Sequence, residues 1–278
     1  MYLIRRMNLF RADLHCHSTC SDGTMTPNQL LHHAKEIGLS GICITDHDTI
    51  EAYHTAPAIA KELGLLLGIG AEFSSVFKTL SVHILAYDFD LHNPAIKKLC
   101  ERHSVRRTER NRAILHNLSR LGMPIFEEEL LAMGEKSIGR PHIAFLMMQK
   151  KYVASIREAF NVYIGDGCPC YVPGEAISSE ETISIIHQGG GKAFIAHPHL
   201  LVHANKIKLL LELPFDGIEC HYAKFPPEKE KKWIKIAQEK NWLISGGSDF
   251  HGTAKEYIQL GCSWVNEETF HKIFQKPL

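Results

Sequence analysis

The chain has 278 residues, 45% hydrophobic and 22% charged, ordinary globular proportions that permit one large domain or one domain carrying an insertion. Its net charge is +0 and its pI near 7.3, which excludes a global field drawing it to nucleic acid or an anionic membrane; an anionic substrate has to be held locally. The absence of a run of about 18 apolar residues, of a signal peptide and of any C-x-x-C among the eight cysteines points to a soluble chain in a reducing cytoplasm, with no membrane and no obligatory protein partner.

Apolar β-rich runs alternate with helical periodicity. The predicted strands are 9–14, 41–45, 65–71, 81–86, 192–196, 216–220, 242–245 and 259–265, most of them without polar alternation and therefore buried on both faces. Between the first two, Thr26 is placed to cap a helix, Pro27 starts it, Gln29 completes a capping box and Gly38 ends it, with Leu30, Leu31, Ala34 and Ile37 as the inner stripe. The same rhythm recurs at 48–63, 179–188 and 227–240, and such β-then-α alternation predicts a parallel sheet.

From about Asn93 to Gly167 the rhythm breaks. A long helix is predicted from Asn93-Pro94 towards Leu121-Gly122, followed by helices at 126–133, 141–150 and 155–163. The expected organisation is therefore a barrel formed by 9–98 and 168–278, interrupted by an inserted helical subdomain at 99–167. A closed barrel is preferred to an open sheet because His15, His47, Glu72, His197, His221 and Asp249 each fall at or just past the C-terminal end of a different strand. A barrel collects those positions on one rim, whereas an open sheet spreads them across its width.

Histidine, at 18 residues, is the one compositional excess. Nine His or acidic residues lie in patches that mostly close apolar runs: His15, His17, Asp22, His47, Glu72, His83, His197, Asp249 and His251. One H-x-H pair means little, since two histidines two residues apart simply share a strand face. Repetition of the pattern points to a multinuclear site for borderline or hard divalent cations such as Zn, Mn or Fe, and the lack of paired cysteines argues against thiolate ligation.

Two features of the helical stretch bear on substrate. Arg102, Arg106, Arg107, Arg110 and Arg112 form a run that reads either as a solvated face or as a nucleic-acid contact. In Gly139-Arg140-Pro141-His142, proline at a helix start leaves free backbone N–H groups beside Arg140 and His142, an arrangement suited to phosphate, although an ordinary cap with a surface arginine is the other reading.

Four ordered motifs resemble those of the PHP (polymerase and histidinol phosphatase) phosphoesterases. They are Asp13-Leu14-His15-Cys16-His17-Ser18 with Asp22-Gly23, Ile44-Thr45-Asp46-His47-Asp48, Ala196-His197-Pro198, and Ser248-Asp249-Phe250-His251. The resemblance implies a distorted seven-stranded (β/α) barrel and three divalent metals. The first would be held by His15, His17, Glu72 and Asp249, the second by bridging Glu72 with His83 and His197, and the third by Asp22, His47 and His251. Asp13 and Asp46 then look like groups that orient ligating imidazoles. The helical insertion, Gly139–Ala144 and Gly165–Pro173 are similar to the stand-alone bacterial branch that acts on nucleoside 3′,5′-bisphosphates and trims RNA from its 5′ end, with Arg140 and His142 on phosphate. Cys168 departs from that pattern, where a lysine is expected.

The chemistry implied is hydrolysis by a water activated between metals, with Asp48, His199 and His221 as candidates for protonating the leaving group. Two other classes stand beside a nucleotide phosphatase: a histidinol-phosphate phosphatase, and a non-catalytic metal-stabilised partner module.

Overall fold

The computed structural model describes residues 9–133, 138–173, 177–201 and 204–278. Chain order begins with β1 (Ala12–Cys16), α1 (Pro27–Glu36), β2 (Gly41–Ile44), α2 (Ala56–Leu63), β3 (Leu66–Phe77) and β4 (Leu80–Tyr87). Next come α3 (Pro94–Arg120), α4 (Glu127–Leu131), α5 (Arg140–Gln149), α6 (Ile156–Ala159) with a π-type turn over Phe160–Ile164, and α7 (Ser179–Gln188). The chain closes with β5 (Lys192–Ile195), α8 (Ala204–Leu210), β6 (Gly217–Tyr222), α9 (Pro227–Lys240), β7 (Leu243–Gly247) and α10 (Glu267–Ile273).

The seven strands lie in sequence order, β1 to β7, as a distorted (β/α) barrel. Its seam is drawn together where Asp249 N donates to His15 O at 2.7 Å and His17 N to Phe250 O at 2.9 Å. Closure demands a bare backbone at Gly247, where a Cβ would sit 2.4 Å from His15 N and 2.8 Å from the Asp13 carboxylate.

Two expectations are corrected. The sheet is not wholly parallel: β4 runs against both β3 and β5, while the remaining neighbours are parallel. A connection of only Lys78 and Thr79 makes β3 and β4 a hairpin, with Lys78 at φ 56, so no crossover helix intervenes. The run 259–265 is not a strand either; it keeps only a bridge from Val265 to Ala12, and Gly261 at φ 71 turns the chain so that Ile258 and Leu260 pack into the core beside α1 and α2.

The local readings of the helices hold where caps are strong. Thr26 accepts from Gln29 N at 3.2 Å while Gln29 Oε1 accepts from Thr26 N at 2.9 Å, the reciprocal box that fixes the start of α1. Asn93 caps α3 through Ala95 N at 2.9 Å. Along α3 the burial changes partner: Ile96 and Leu99 pack with strand residues such as Phe73 and Ile84, whereas Ile114, Leu115 and Leu118 pack with Ile143, Met147 and Ile164 in a separate apolar cluster. Among the described residues, no helix is long and apolar enough to cross a membrane.

Candidate functional site

The C-terminal ends of the strands carry the charged residues inward. Glu72, fully buried on β3, is the hub. One carboxylate oxygen lies 2.8 Å from His83 Nδ1 and 2.9 Å from His197 Nε2; the other lies 3.1 Å from His15 Nε2 and 3.2 Å from both His17 Nε2 and His47 Nδ1. His83 reaches this rim because β4 is reversed, so a residue near its start sits level with the ends of its neighbours, diagonal to Glu72 across the Ser74–His83 pair. Asp249, held at φ 55 just past β7, brings Oδ1 to 3.3 Å from His17 Nε2 and 3.5 Å from His15 Nε2. Asp22 lies 3.3 Å from His251 Nε2 and 3.8 Å from both His47 Nε2 and His17 Nδ1.

Three overlapping groups have ligand atoms close enough to hold cations: His15, His17, Glu72 and Asp249; His47, Glu72 and His83; and His17, Asp22, His47 and His251. His17 thus belongs to two groups, and His197 lies against Glu72 but outside all three. The donors fit divalent metal. His17 is fully buried, yet despite the carboxylate oxygens 3.2 and 3.3 Å from Nε2 neither ring nitrogen makes a well-directed hydrogen bond, and the same holds for His47 Nδ1. Buried polar atoms left this way are costly unless a ligand completes them.

Electrostatics support the same view. Burial alone would raise the Glu72 carboxyl, but the His15 and His83 imidazoles, themselves carried up by the carboxylates around them, hold it well below the usual carboxylate range. Burial likewise opposes ionisation of Asp22 and Asp249, but the His251 ring beside Asp22 and the Lys255 ammonium beside Asp249 outweigh it and hold both low. Among the imidazoles, burial drives His47 down to about 3, whereas His17 is carried up to about 9 against its burial by Asp249 and Glu72. Clustered carboxylates that rely on protonated imidazoles for compensation are a setting a dication can take over, displacing the protons.

The supporting residues differ from those expected. Asp13 and Asp46 touch no imidazole: Asp13 accepts from the backbone N–H of His15, Ser248 and Gly261, and Asp46 accepts from Ser18 and Ser21. They pin the loops that bear the ligands. Orientation of an imidazole falls to Glu219 on β6, whose Oε1 lies 2.8 Å from His15 Nδ1 while Oε2 accepts from His197 N at 2.7 Å. Its signal in the sequence was an acid inside the apolar run Gly217–Cys220. Two further residues were not foreseen: Tyr222 and Lys255 donate to Asp249 Oδ2 at 2.6 and 2.7 Å.

Each of the three proposed proton donors is engaged by neighbouring side chains. Asp48 is buried, but His103 and Arg107 overcome the burial and keep it ionised, with both oxygens occupied by Arg107, Ser74 N and Ser74 Oγ. His199 is pushed down to about 4 by burial and nearby His197, and it packs as a neutral ring. His221 turns away to Glu230 on α9, at 3.1 Å.

Beside this cluster stands a second one of opposite sign. Arg107 of α3 is clamped on Asp48, and Arg106, Arg110 and Arg140 gather next to it. Burial, with the neighbouring arginines, pushes Arg110 down to about 9, and the Nε atoms of Arg106 and Arg110 are buried without hydrogen-bond partners. Arg140 lies over the Tyr171 and Phe160 rings, at 5.2 and 5.8 Å, and donates to Asp166 at 2.7 Å. His142 Nδ1 accepts from Gly139 N at 2.9 Å, capping α5. The Cys168 thiol turns to the carbonyls of Phe160 and Asn161, both 3.4 Å away.

Residues 13–164 match the model of the PHP domain. The chain is 31% identical over 257 residues to the 5′-3′ exoribonuclease Rnm of Salmonella typhimurium, covering 90% of this chain and 87% of that one. It is 28% identical to the 3′,5′-nucleoside bisphosphate phosphatase of Chromobacterium violaceum, with 90% of each covered. A crystal structure from Bifidobacterium adolescentis, assigned by inference as a metal-dependent phosphoesterase, superposes with a TM-score of 0.85 at 31% identity over 94% of both chains.

Proposed function

The chain belongs to the PHP domain family, and we propose that it is a metal-dependent phosphoesterase acting on nucleotides that carry a second phosphate. Its substrates are a nucleoside 3′,5′-bisphosphate, converted to the 5′-monophosphate, and short 5′-phosphorylated RNA. One observation carries this reading. A carboxylate–imidazole cluster with orphaned nitrogens abuts an arginine cluster that also has orphaned nitrogens, the two being joined through Asp48 and Arg107. One calls for cations and the other for an anion beyond the one the cations would bind.

Three divalent ions, Mn, Fe or Zn, fit the nine residues His15, His17, Asp22, His47, Glu72, His83, His197, Asp249 and His251. Ions bound there would polarise the phosphoryl oxygens and acidify the attacking water. Glu72 is placed to share its two oxygens between neighbouring positions, and Glu219 holds the His15 ring edge-on to it. Tyr222 and Lys255 occupy one oxygen of Asp249 and leave the other facing His15 and His17.

Arg106, Arg110 and Arg140 take the distant phosphate, and the Tyr171 ring lies under the Arg140 guanidinium. His142 serves by shaping the start of α5. Residues 99–167 are, on this reading, the substrate-binding insertion of a barrel made from 9–98 and 168–278, with α3 shared between them. Protonation of the leaving oxygen is left to water.

The test is a panel of 3′,5′-bisphosphoadenosine, histidinol phosphate and 5′-phosphorylated RNA. Preference for the first and third is expected. Preference for histidinol phosphate would move the substrate class, and inertness on all three with metal bound would favour a non-catalytic module.

A further inference from the structure

Across the barrel from the arginines, the loops after β5 and β6, with Tyr257 from the segment after β7, build a surface that the ligand residues leave unused. The His199 ring lies 4.4 Å from that of Phe225 and 4.5 Å from that of Tyr222. Lys229 Nζ stands 5.7 Å from the Phe225 centroid, and Lys224 Nζ 5.3 Å from that of Tyr257, whose ring is exposed. Neither lysine has a carboxylate partner among the described residues.

The surface is continuous with the candidate metal site. His197 faces Tyr222 edge-on at 6.3 Å, and Tyr222 donates to Asp249. In a barrel ordered β1 to β7, the loops after β5 and β6 stand opposite those after β2 and along β3, which hold Asp48 and Ser74 and, through them, Arg107. The two surfaces therefore flank the cluster from opposite sides.

That placement has a consequence for a bound nucleotide. With its 5′-phosphate on the arginines and its 3′-linked phosphate at the cluster, the remaining substituent of that second phosphate points away from α3. In a bisphosphate this substituent is a bare oxygen; in RNA it is O5′ of the next nucleotide. We infer that His199, Tyr222, Phe225, Lys224, Lys229 and Tyr257 form the subsite for the nucleotide downstream of the scissile phosphate in single-stranded RNA. The inference rests on the nucleotide phosphoesterase reading above.

Aromatic faces accept any base, and lysine point charges follow a phosphate backbone without reading sequence. The bond broken is the same in both substrates. Water attacks phosphorus, the P–O3′ bond breaks, O3′ keeps the electron pair and gains a proton, and the phosphoryl group stays with whatever O5′ carries. The aromatic rim responds only to whether a nucleoside is attached there.

The experiment compares Phe225→Ala and Lys229→Ala with wild type on 3′,5′-bisphosphoadenosine and on a 5′-phosphorylated dinucleotide and hexanucleotide, with Mn present. Phe225→Ala should lower kcat/KM on the oligonucleotides about tenfold, mainly through KM, in line with the loss of one stacked base, and leave the bisphosphate unchanged. Phe225→Trp should retain the activity on RNA. Lys229→Ala should give a smaller loss and a shallower salt dependence. A 2-aminopurine at the second position should lose its binding-induced quench in Phe225→Ala, a readout independent of turnover. Equal losses on both substrates, or none on RNA, would overturn the subsite. Wild type active on the bisphosphate but not on the dinucleotide would overturn it while sparing the phosphatase reading, and wild type inert on every substrate would overturn both.

Discussion

The strand-end cluster and the arginine cluster of α3 and α5 concentrate charge in opposite ways. The first is rigid: Glu72, His15 and Asp249 are buried and stand on or just after strands, and Asp13 and Asp46 fasten the adjoining backbone through hydrogen bonds. The second is built from long side chains on helices, partly compensated by Asp48 and Asp166 and propped by aromatic rings. Rigid clustering of like charge is tolerable only when a counter-ion of fixed geometry completes it, whereas arginines adapt to the anion they meet. Changes in the first region should therefore act through metal content and affect every substrate, and changes in the second should be graded and depend on the substrate.

The largest effect expected is from removing the ions. Chelation followed by dialysis should abolish turnover on all phosphoesters and Mn should restore it; full activity with no metal by elemental analysis would erase the distinction between the regions. Asp249→Asn keeps the shape but removes a charge facing His15 and His17 and paired with Lys255. It should lose metal and slow turnover at least about a hundredfold on every substrate. Unchanged metal content with unchanged turnover would remove Asp249 from the ligand set.

Glu219→Gln sharpens the comparison because Glu219 acts only through His15 and the His197 backbone. Metal affinity should fall roughly ten- to a hundredfold, with excess Mn recovering most of the rate. A fall in rate that excess metal does not recover would mean that Glu219 does more than orient His15. The smallest effect belongs to the arginines. Arg140→Ala should retain metal and fold, and lose about 2 kcal/mol, roughly thirtyfold in kcat/KM, on 3′,5′-bisphosphoadenosine, with little change on an aryl phosphate. Arg140→Lys should recover part of that. Equal kinetics for Arg140→Ala and wild type on both compounds would leave Arg140 as a helix-start residue held by Asp166.

The His and acidic patches that the structure gathers were legible because a His or acid directly after an apolar strand has few bland explanations, and its repetition on successive strands has fewer. The helix caps at Thr26 and Asn93 were legible for the same local reason. The reversal of β4 was not, since a turn of Lys78 and Thr79 carries no Gly or Asn to announce a hairpin. Glu219 looked like a strand residue, and only the barrel's curvature aims it at His15.

By itself, then, the sequence determined the order in which strands and helices bring the His and acidic patches to one rim, because burial pattern and capping act over a few neighbouring residues. Tertiary structure alone decided how they meet. It made Glu72 the hub, turned Asp13 and Asp46 to backbone N–H groups, kept Asp48 ionised against Arg107, and brought Arg140 beside Arg106 and Arg110 although at least 30 residues of chain separate them. Those outcomes depend on distances across the closed barrel and its helical insertion, and on which charges are left in low dielectric once water has been excluded.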